Sequence, residues 1–516
     1  MSPRHLSALL RFLVFCSLLT LSQSGSAVGF SFDQVIERAR LLAATQSEDP
    51  GDAVPRWLLE LDYDQYRQIR YRPERALWLD RKLPFSIQFF HPGFFYDRVV
   101  AMHVVAPSGE VIPVAFSPDQ FDYGTAEFGS RVPHDLGYAG FRIHHPIKSS
   151  TYQDEVAVFL GASYFRAVGR ENAYGLSARG VAIDTASTSG EEFPRFREFW
   201  LVQPAAGARD LTFYALLESP SATGAFRFVV TPGPQTRIDV EMKLFPRASI
   251  GKLGLAPLTS MFLHGEMGPP LEEPDYRPEV HDSDGLLVAS QTGEWLWRPL
   301  ENPEELAVTS FELENPRGFG LMQRDRSFDH YQDIEARSDL RPSAWIEPKG
   351  DWSRGRVELV EIPTRNDTND NIVAYWVPAV PATPGEPISL AYSIYWYGDD
   401  RARPPGGRAV ATRLDLGTHD DARRIVVDFE GGALDRLPAD AIVEGLVTAS
   451  ASGLGAPESP KPAEVLEQQV LRNPSTGGWR LVFQLKSPEG DPIELRAFLR
   501  HGSDVLTETW SYLLKP

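Results

Sequence analysis

Short runs in which apolar and polar residues alternate dominate the chain after about residue 80. Arg237-Ile-Asp-Val-Glu-Met-Lys-Leu alternates strictly, and Thr231-Pro-Gly-Pro separates it from Phe226-Arg-Phe-Val-Val. Pro107-Ser-Gly-Glu separates two further apolar-rich runs, at residues 99–105 and 111–116. Alternation with a period of two residues, broken by Gly- and Pro-rich turns, predicts antiparallel strands joined as hairpins. The number of such strands predicts an all-β fold built from sandwiches.

One early segment has a helical pattern instead. Ser31 and Gln34 have the spacing of a capping box, and Val35, Ala39 and Leu42 recur at helical intervals. This pattern predicts a single amphipathic helix before the strands begin.

A composition change divides the chain into two domains. The polar segment Asp399-Asp-Arg-Ala-Arg-Pro-Pro-Gly-Gly is charged and rich in Pro and Gly, which is typical of a linker. We therefore expect a large β domain at residues 28–398, a linker at 399–407 and a second domain at 408–516. Apolar strand patterns at 424–429, 479–485 and 493–499 suit a small immunoglobulin-like sandwich.

The first 27 residues have the pattern of a secretory signal peptide. Arg4 and Arg11 precede an apolar run that ends near Leu21, and small residues follow up to Ala27. The run is too short to span a bilayer, so we expect cleavage near Ala27, export, and no membrane insertion. Cys16, the only cysteine, falls inside this segment. The mature chain is therefore expected to have neither a disulfide nor a thiolate nucleophile.

The charge balance restricts the class of partner. A net charge of −19 repels phosphate backbones and anionic lipid, which argues against nucleic acid or a membrane surface. A neutral sugar is not repelled. The 11 Trp, 17 Tyr and 29 Phe residues offer flat faces for sugar rings, although a sandwich core accounts for most of them.

The standard catalytic motifs of nucleotide, serine-hydrolase and zinc-protease sites do not occur in the sequence. Sugar hydrolysis requires only two carboxyl groups in different environments. Two loops concentrate carboxylates, amides and an aromatic residue between apolar strands, at residues 276–285 and 361–376. Such loops also form turns of their own, and neither has the spacing of a Ca²⁺ loop. No metal ion and no cofactor are expected.

The sequence resembles the periplasmic glucan biosynthesis proteins of the G and D type, which serve the synthesis of osmoregulated periplasmic glucans. The N-terminus lacks the twin arginine typical of the D type, so the G type is nearer. The matching runs extend over residues 30–400. They are Gly161-Ala-Ser-Tyr-Phe-Arg, Tyr174-Gly-Leu-Ser-Ala-Arg-Gly, Ser189-Gly-Glu-Glu-Phe-Pro-Arg-Phe, Gly251-Lys-Leu-Gly-Leu-Ala-Pro-Leu-Thr-Ser-Met-Phe, Trp295-Leu-Trp-Arg-Pro-Leu, Arg341-Pro-Ser-Ala-Trp and Asn369-Asp-Asn-Ile-Val-Ala-Tyr-Trp.

The resemblance implies a large mutarotase-like β-sandwich followed by a small immunoglobulin-like β-sandwich, in a protein of the periplasm. It also implies that the partner is β-glucan, because similar proteins hydrolyse linear β-1,2-glucan with inversion or transfer it. Asp370 matches the general acid of such proteins, and Asp282 matches the carboxylate that collects the proton of the attacking water through a relay. The expected substrate-binding residues are Tyr276, Arg277, Trp295, Trp345 and Trp376.

Two positions of the implied proton relay depart from the family pattern. Ser338 stands where hydrolytic relatives carry a Tyr, and Asp367 stands where they carry a Glu. A shortened side chain must be bridged by an added water or the relay fails. An alternative is that the alignment slips at Ser338 and that Tyr331 supplies the hydroxyl group.

Three functions therefore remain open from the sequence. The first is an enzyme that trims or remodels linear β-1,2-glucan by hydrolysis or transglycosylation. The second is a non-catalytic glucan-binding or assembly factor that works with the inner-membrane glucan synthase. The third is an aldose mutarotase, in which His281 beside Asp282 would act as the acid–base pair.

Overall fold

The computed structural model of the chain describes residues 29–47, 53–125, 127–267, 275–400, 402–417, 422–438, 440–451, 461–486 and 492–515. The predicted signal peptide, residues 1–27, lies outside the described residues. No helix in the described ranges is long and apolar enough to cross a membrane.

Helices are few among these residues. The α-helices are α1 Phe32–Ala43, α2 Arg56–Leu59, α3 Tyr63–Tyr66 and α4 Phe328–Tyr331. Single 3₁₀ turns are Pro73–Arg75, Pro118–Gln120, Glu127–Arg131, Ser338–Leu340 and Leu434–Arg436. The predicted early helix is confirmed as α1, with Ser31 and Gln34 in a capping box and with Val35 and Ala39 buried.

Strands are the main regular element of the fold. Up to residue 260 they are β1 Arg70–Tyr71, β2 Ser86–Phe90, β3 Ala101–Val105, β4 Val111–Pro113, β5 Phe121–Asp122, β6 Gly140–His145, β7 Asp154–Leu160, β8 Tyr164–Ala167, β9 Ser177–Arg179, β10 Val181–Ile183, β11 Arg195–Val202, β12 Leu211–Glu218, β13 Ala222–Thr231, β14 Thr236–Pro246 and β15 Leu253–Ser260. The next ten are β16 Phe262–His264, β17 Val280–His281, β18 Gly285–Ala289, β19 Trp295–Pro299, β20 Ala307–Glu314, β21 Gly318–Met322, β22 Ser343–Lys349, β23 Arg354–Glu361, β24 Ile372–Pro378 and β25 Ile388–Tyr397. The last nine are β26 Arg408–Leu416, β27 Ala422–Glu430, β28 Glu444–Ala451, β29 Lys461–Pro462, β30 Val465–Arg472, β31 Trp479–Lys486, β32 Ile493–His501, β33 Asp504–Val505 and β34 Thr509–Leu514.

Two large sheets face each other. Within the described residues, one sheet has ten strands in the order β2-β6-β7-β8-β9-β15-β24-β23-β20, with β10 paired to β15. The other has sixteen strands in the order β29-β28-β32-β34-β19-β18-β21-β22-β25-β14-β13-β12-β11-β3-β4, with β33 paired to β32. The predicted hairpins are confirmed as β3–β4 and β13–β14. The all-β sandwich predicted from alternation is therefore confirmed.

Phenylalanine rings fill the space between the sheets. Phe141 and Phe159 of the ten-stranded sheet lie 5.4 and 4.9 Å from Phe213 of the sixteen-stranded sheet, measured between ring centroids. Phe165 likewise lies 5.4 Å from Phe228. Edge-to-face contacts of this kind stabilise a core beyond the area that they bury. Most of the abundant aromatic residues therefore serve packing.

The C-terminal residues form a four-stranded sheet, β26-β27-β31-β30, and also extend the sixteen-stranded sheet. Parallel pairing of β34 with β19 joins them to the large sheet, with Leu296 opposite Thr509 and Trp297 opposite Trp510. The predicted strands at 424–429, 479–485 and 493–499 are confirmed as β27, β31 and β32. The segment proposed as a linker contains an ion pair between Arg403 and Asp400 at 2.7 Å, and Arg403 also lies 3.8 Å from Glu347 of β22.

Candidate functional site

The two predicted catalytic loops meet at one short stretch of backbone, residues 260–262, where β15 gives way to β16. The Asp282 amide donates to the Met261 carbonyl at 2.8 Å, and the Asn371 amide donates to the Ser260 carbonyl at 3.0 Å. The Asn371 side chain accepts from the Phe262 amide at 2.8 Å. Asn371 is 3 % exposed, so its amide group fixes the end of the loop that carries Asp370. The fold thus places Asp282 and Asp370 on neighbouring segments.

Arg341 interacts electrostatically with both carboxyl groups. Its guanidinium forms an ion pair with Asp282, whose side chain is 9 % exposed. Burial lowers the pKa of Arg341, and the charge of Arg166 lowers it further, whereas the negative charges of Asp367 and Asp370 offset this only in part. We call the group Asp282, Arg341 and Asp370 the carboxylate site.

Three arginines surround the carboxyl group of Asp370. Desolvation by the surrounding protein raises the pKa of Asp370, and the charges of Arg166, Arg179 and Arg341 offset this effect only in part. The residue nevertheless keeps an exposed surface. A carboxyl group that is crowded by protein yet open to solvent on one side can hold a proton and still reach a ligand.

Arg179 is itself fixed from two sides. It donates to Glu191 at 2.5 Å and to the Thr259 hydroxyl at 2.9 Å. Its guanidinium lies 4.8 Å above the ring of Tyr164 and 5.6 Å above that of Phe193. Phe193 is 54 % exposed and Tyr164 partly so. Both rings are therefore available to a ligand at the edge of the carboxylate site.

Sequence reasoning missed these arginines as site residues. Arg166, Arg179 and Arg341 each belong to a different run that carried the family resemblance, as does Glu191. Their convergence was not visible because the segment before β22 is far from strands β8 and β9 in sequence. These arginines could have been identified from sequence because each of these runs contains a charged residue within or beside a short apolar strand.

Arg277, itself a predicted site residue, forms ion pairs with three aspartates that include the predicted Asp367. It binds Asp275 at 2.7 Å, Asp367 at 2.8 Å and Asp333 at 3.4 Å. The hydrogen bonds from Arg277 lower the pKa of Asp275 to about 2. Tyr276, beside this cluster, is 76 % exposed. Asp367, expected in a proton relay, is thus bound to Arg277.

Ser338, the other predicted relay position, is 4 % exposed and begins the 3₁₀ turn Ser338–Leu340. Its carbonyl accepts from the Gln323 amide at 3.1 Å. Among the described residues its hydroxyl group makes no hydrogen bond to Asp282 or Asp367. Tyr331 does not replace it, because the Tyr331 hydroxyl donates to the Asp325 carbonyl and accepts from Gln323, each at 3.0 Å.

His281, the residue that an aldose mutarotase would use, is 1 % exposed. Its Nδ1 pairs with the side-chain oxygen of Gln323 and its Nε2 with Glu279, both at 2.9 Å. Burial acts to lower the pKa of His281, but Glu279, Asp284 and Gln323 outweigh it, and the pKa is raised. Both ring nitrogens are engaged, so the geometry does not favour the mutarotase hypothesis.

Two of the three predicted substrate-binding tryptophans lie in the core, and Trp295 is partly buried against it. Trp345 and Trp376 are 2 % and 1 % exposed, so neither offers a face to a sugar, and that expectation is wrong in this structure. Trp295 stacks on Trp345 at 5.4 Å. It pairs with Ala289 at the far end of β18 from Gly285, about 14 Å along the strand from the Asp282 loop. Alternating apolar patterns do not separate a ring that fills a core from one that binds a ligand.

A further polar cluster adjoins His281, next to Asp282, through Glu279, whereas two cavities lie apart from the carboxylate site. Ligand-type atoms of Glu279, Asp325 and His330 lie within 4.8 Å of one another, and His330 is ion-paired with Asp325. Two cavities of about 660 and 640 Å³ lie near the N-terminal strands and include neither Asp282 nor Asp370. The carboxylate site is therefore identified by its charged groups and not by cavity volume.

Comparison with known proteins agrees with this architecture. Residues 30–514 match the family described as "Periplasmic glucan biosynthesis protein, MdoG". The glucans biosynthesis protein G of Ralstonia nicotianae is 51% identical over 509 residues, covering 97% of this chain and 99% of the relative. The protein of the same name from Pseudomonas paraeruginosa is 47% identical, covering 94% and 93%. That from Sodalis glossinidius is 45% identical, covering 98% and 97%. This chain therefore belongs to the periplasmic glucan biosynthesis protein family of the MdoG type, and its role lies in glucan biosynthesis.

Proposed function

We propose that the protein acts in the periplasm on the linear β-1,2-glucan backbone, by inverting hydrolysis or by transglycosylation at the carboxylate site. The proposal rests on the difference between the two acidic residues of the carboxylate site. Asp282 is ion-paired with Arg341, whereas desolvation raises the pKa of Asp370. Inverting cleavage of a glycosidic bond needs one carboxylate that accepts a proton and one carboxyl group that donates a proton.

In the proposed reaction, Asp370 donates its proton to the oxygen that leaves the anomeric carbon. A water oxygen attacks that carbon from the opposite face, the glycosidic C–O bond breaks, and the proton of the water passes to Asp282. In transglycosylation, the hydroxyl group of a second sugar takes the place of water. Arg166 and Arg179 act as positioning residues, because they hold charge beside Asp370 without fully offsetting its desolvation.

We also propose, as the alternative, a glucan-binding or assembly factor that works with the inner-membrane glucan synthase. Asp367 is bound to Arg277 at 2.8 Å, and Ser338 is buried. A relay from water to Asp282 through these two positions needs added water molecules. Slow activation of water favours transfer or binding over hydrolysis.

Incubation of the purified protein with linear β-1,2-glucan, followed by chromatography of chain lengths, tests the proposal. We expect new chain lengths from the unmodified protein and a rate lower by about 10²–10⁴-fold in Asp370→Asn, since an amide cannot donate the proton. Glucan affinity should persist in that variant. Asp504→Asn, an exposed carboxylate of the C-terminal strands, is the matched control.

Two results would contradict the enzymatic proposal in different ways. Unchanged turnover in Asp370→Asn would remove Asp370 as the general acid. Tight glucan binding without any new chain length from the unmodified protein would leave the assembly function in its place.

A further inference from the structure

A second candidate sugar site lies on the outer face of the ten-stranded sheet, away from the phenylalanine core. The register pairs Phe89 with Phe141, Phe141 with Phe159 and Phe159 with Phe165, and these rings point inward. Successive residues of a strand point to opposite faces. The residues that precede or follow these phenylalanines along each strand therefore form a row on the outer face of the sheet.

That row consists of paired positions on four strands. Gln88 of β2 pairs with Arg142 of β6, Arg142 with Val158 of β7, and Val158 with Arg166 of β8. Arg166 is one of the charges that act on Asp370. Three strand spacings separate β2 from β8, about 14 Å. The outer face thus connects the carboxylate site to the edge of the sheet.

At that edge lies a cavity of about 640 Å³, which we call the β2 cavity. Its lining includes Tyr66, Arg67, Gln88, Phe90 and Arg142. The guanidinium of Arg142 lies 5.3 Å above the Phe90 ring. An aromatic face combined with a few planar hydrogen-bonding groups is the chemistry that binds a neutral sugar ring.

Polar and aromatic groups also continue from the β2 cavity to the carboxylate site. The Tyr66 ring lies 5.8 Å from that of Tyr96, and Arg166 acts electrostatically on Tyr96. Arg142 binds Glu155 at 2.9 Å, and Glu155 and Arg166 both act on Tyr174. Apart from Val158, charged and aromatic groups therefore lie along the path between the two places.

Gln88 adds a polar group to this lining. The residue is 7 % exposed, and its side-chain amide makes no hydrogen bond to any described residue. Because Gln88 lines the β2 cavity, its amide is open to water or to a ligand that enters the cavity.

We propose that the β2 cavity is a remote subsite for the glucan chain, so that a sugar unit binds there while another part of the same chain occupies the carboxylate site. This inference rests on the proposed function. It adds that the protein prefers long chains, because only a chain that spans both places gains the contacts of both.

Calorimetric titration with short and long linear β-1,2-glucans tests the subsite. The short ligand is the β-1,2-linked disaccharide, and the long one is a chain able to span both places. The unmodified protein should bind the long chain more tightly, and Gln88→Leu should weaken that binding about tenfold, leaving disaccharide binding unchanged. Arg67→Ala provides a second variant, since its side chain is 59% exposed and its loss spares the core. Gln469→Leu, exposed on β30, is the control.

The outcomes distinguish the subsite from the function on which it rests. Equal affinity of Gln88→Leu and the unmodified protein for the long chain, with equal melting temperatures, would overturn the subsite. An equal loss for both ligands would overturn its remote position. Failure of the unmodified protein to bind either glucan would instead refute the proposed function.

Discussion

Removal of the Arg341 guanidinium tests whether one ion pair organises the carboxylate site. We consider Arg341→Met, which keeps an unbranched apolar stem and removes the charge. The side chains of Arg341 and Asp282 are 17% and 9% exposed, so the variant leaves a largely buried carboxylate without its partner. Breaking such a pair costs about 3–5 kcal/mol, and the remaining exposure places this one near 3 kcal/mol.

A double-mutant cycle separates the ion pair from lost packing. Asp282→Asn removes the charge that Arg341 neutralises, so Arg341→Met should cost less in that background. We expect a coupling free energy of about 1–3 kcal/mol, measured from unfolding by denaturant with circular dichroism. Arg500→Met is the matched control, because Arg500 pairs with Glu444 at 2.9 Å and both side chains are exposed, by 43% and 52%. A surface pair of this kind contributes about 1 kcal/mol or less.

Either of two results would contradict the predicted role of this ion pair. One is that Arg341→Met destabilises the protein no more than Arg500→Met does. The other is that the loss is the same with Asp282 and with Asn at position 282. The same variant should also raise the pKa of Asp370 further, because Arg341 lowers it. Any glucan turnover should then persist to higher pH than in the unmodified protein.

The remaining predictions concern stability with pH and the share of hydrolysis. Burial raises the pKa of Glu361 from 4.5 to about 7, so its ionisation destabilises the fold as pH rises between these values. Glu361→Gln should therefore stabilise the protein by up to about 3 kcal/mol at pH 8 and by little at pH 4. Thermal melts at the two pH values measure this difference, and an equal stabilisation at both would contradict the prediction. Ser338→Tyr should raise the hydrolytic share of products from linear β-1,2-glucan, since a phenol reaches further than a hydroxymethyl group. Vigorous hydrolysis by the unmodified protein, unaffected by this change, would rule out the relay argument.

The fold could be predicted from sequence because the dominant signal is local. Alternation within the segment that became β14, and the turn before it, identify a hairpin without knowledge of any other segment. The joining of β19 to β34 could not be predicted in this way. Parallel pairing between strands about two hundred residues apart depends on how the two sheets are assembled.

The candidate site was predictable only in part, for a related reason. Asp282 and Asp370 were identified through runs that resemble a family, and the structure places both beside residues 260–262. The tryptophans of the same runs were misassigned, because an apolar ring in a strand fits a core and a ligand face equally well. Trp376 packs against Trp352 at 5.9 Å inside the sandwich. Burial, which decides between the two uses, is a property of the assembled sheets.

The charge distribution explains why the site suits a neutral polymer. The whole chain carries a net charge of −19. Several acidic residues of the site nevertheless lie near four arginines, Arg166, Arg179, Arg277 and Arg341. These arginines offset the repulsion that would otherwise separate the acids, so the site is crowded with charge without a large excess of either sign. A neutral sugar is neither attracted nor repelled by such a site at long range. Its orientation must therefore come from directional hydrogen bonds with fixed side chains such as Arg179, which Glu191 and Thr259 hold in place.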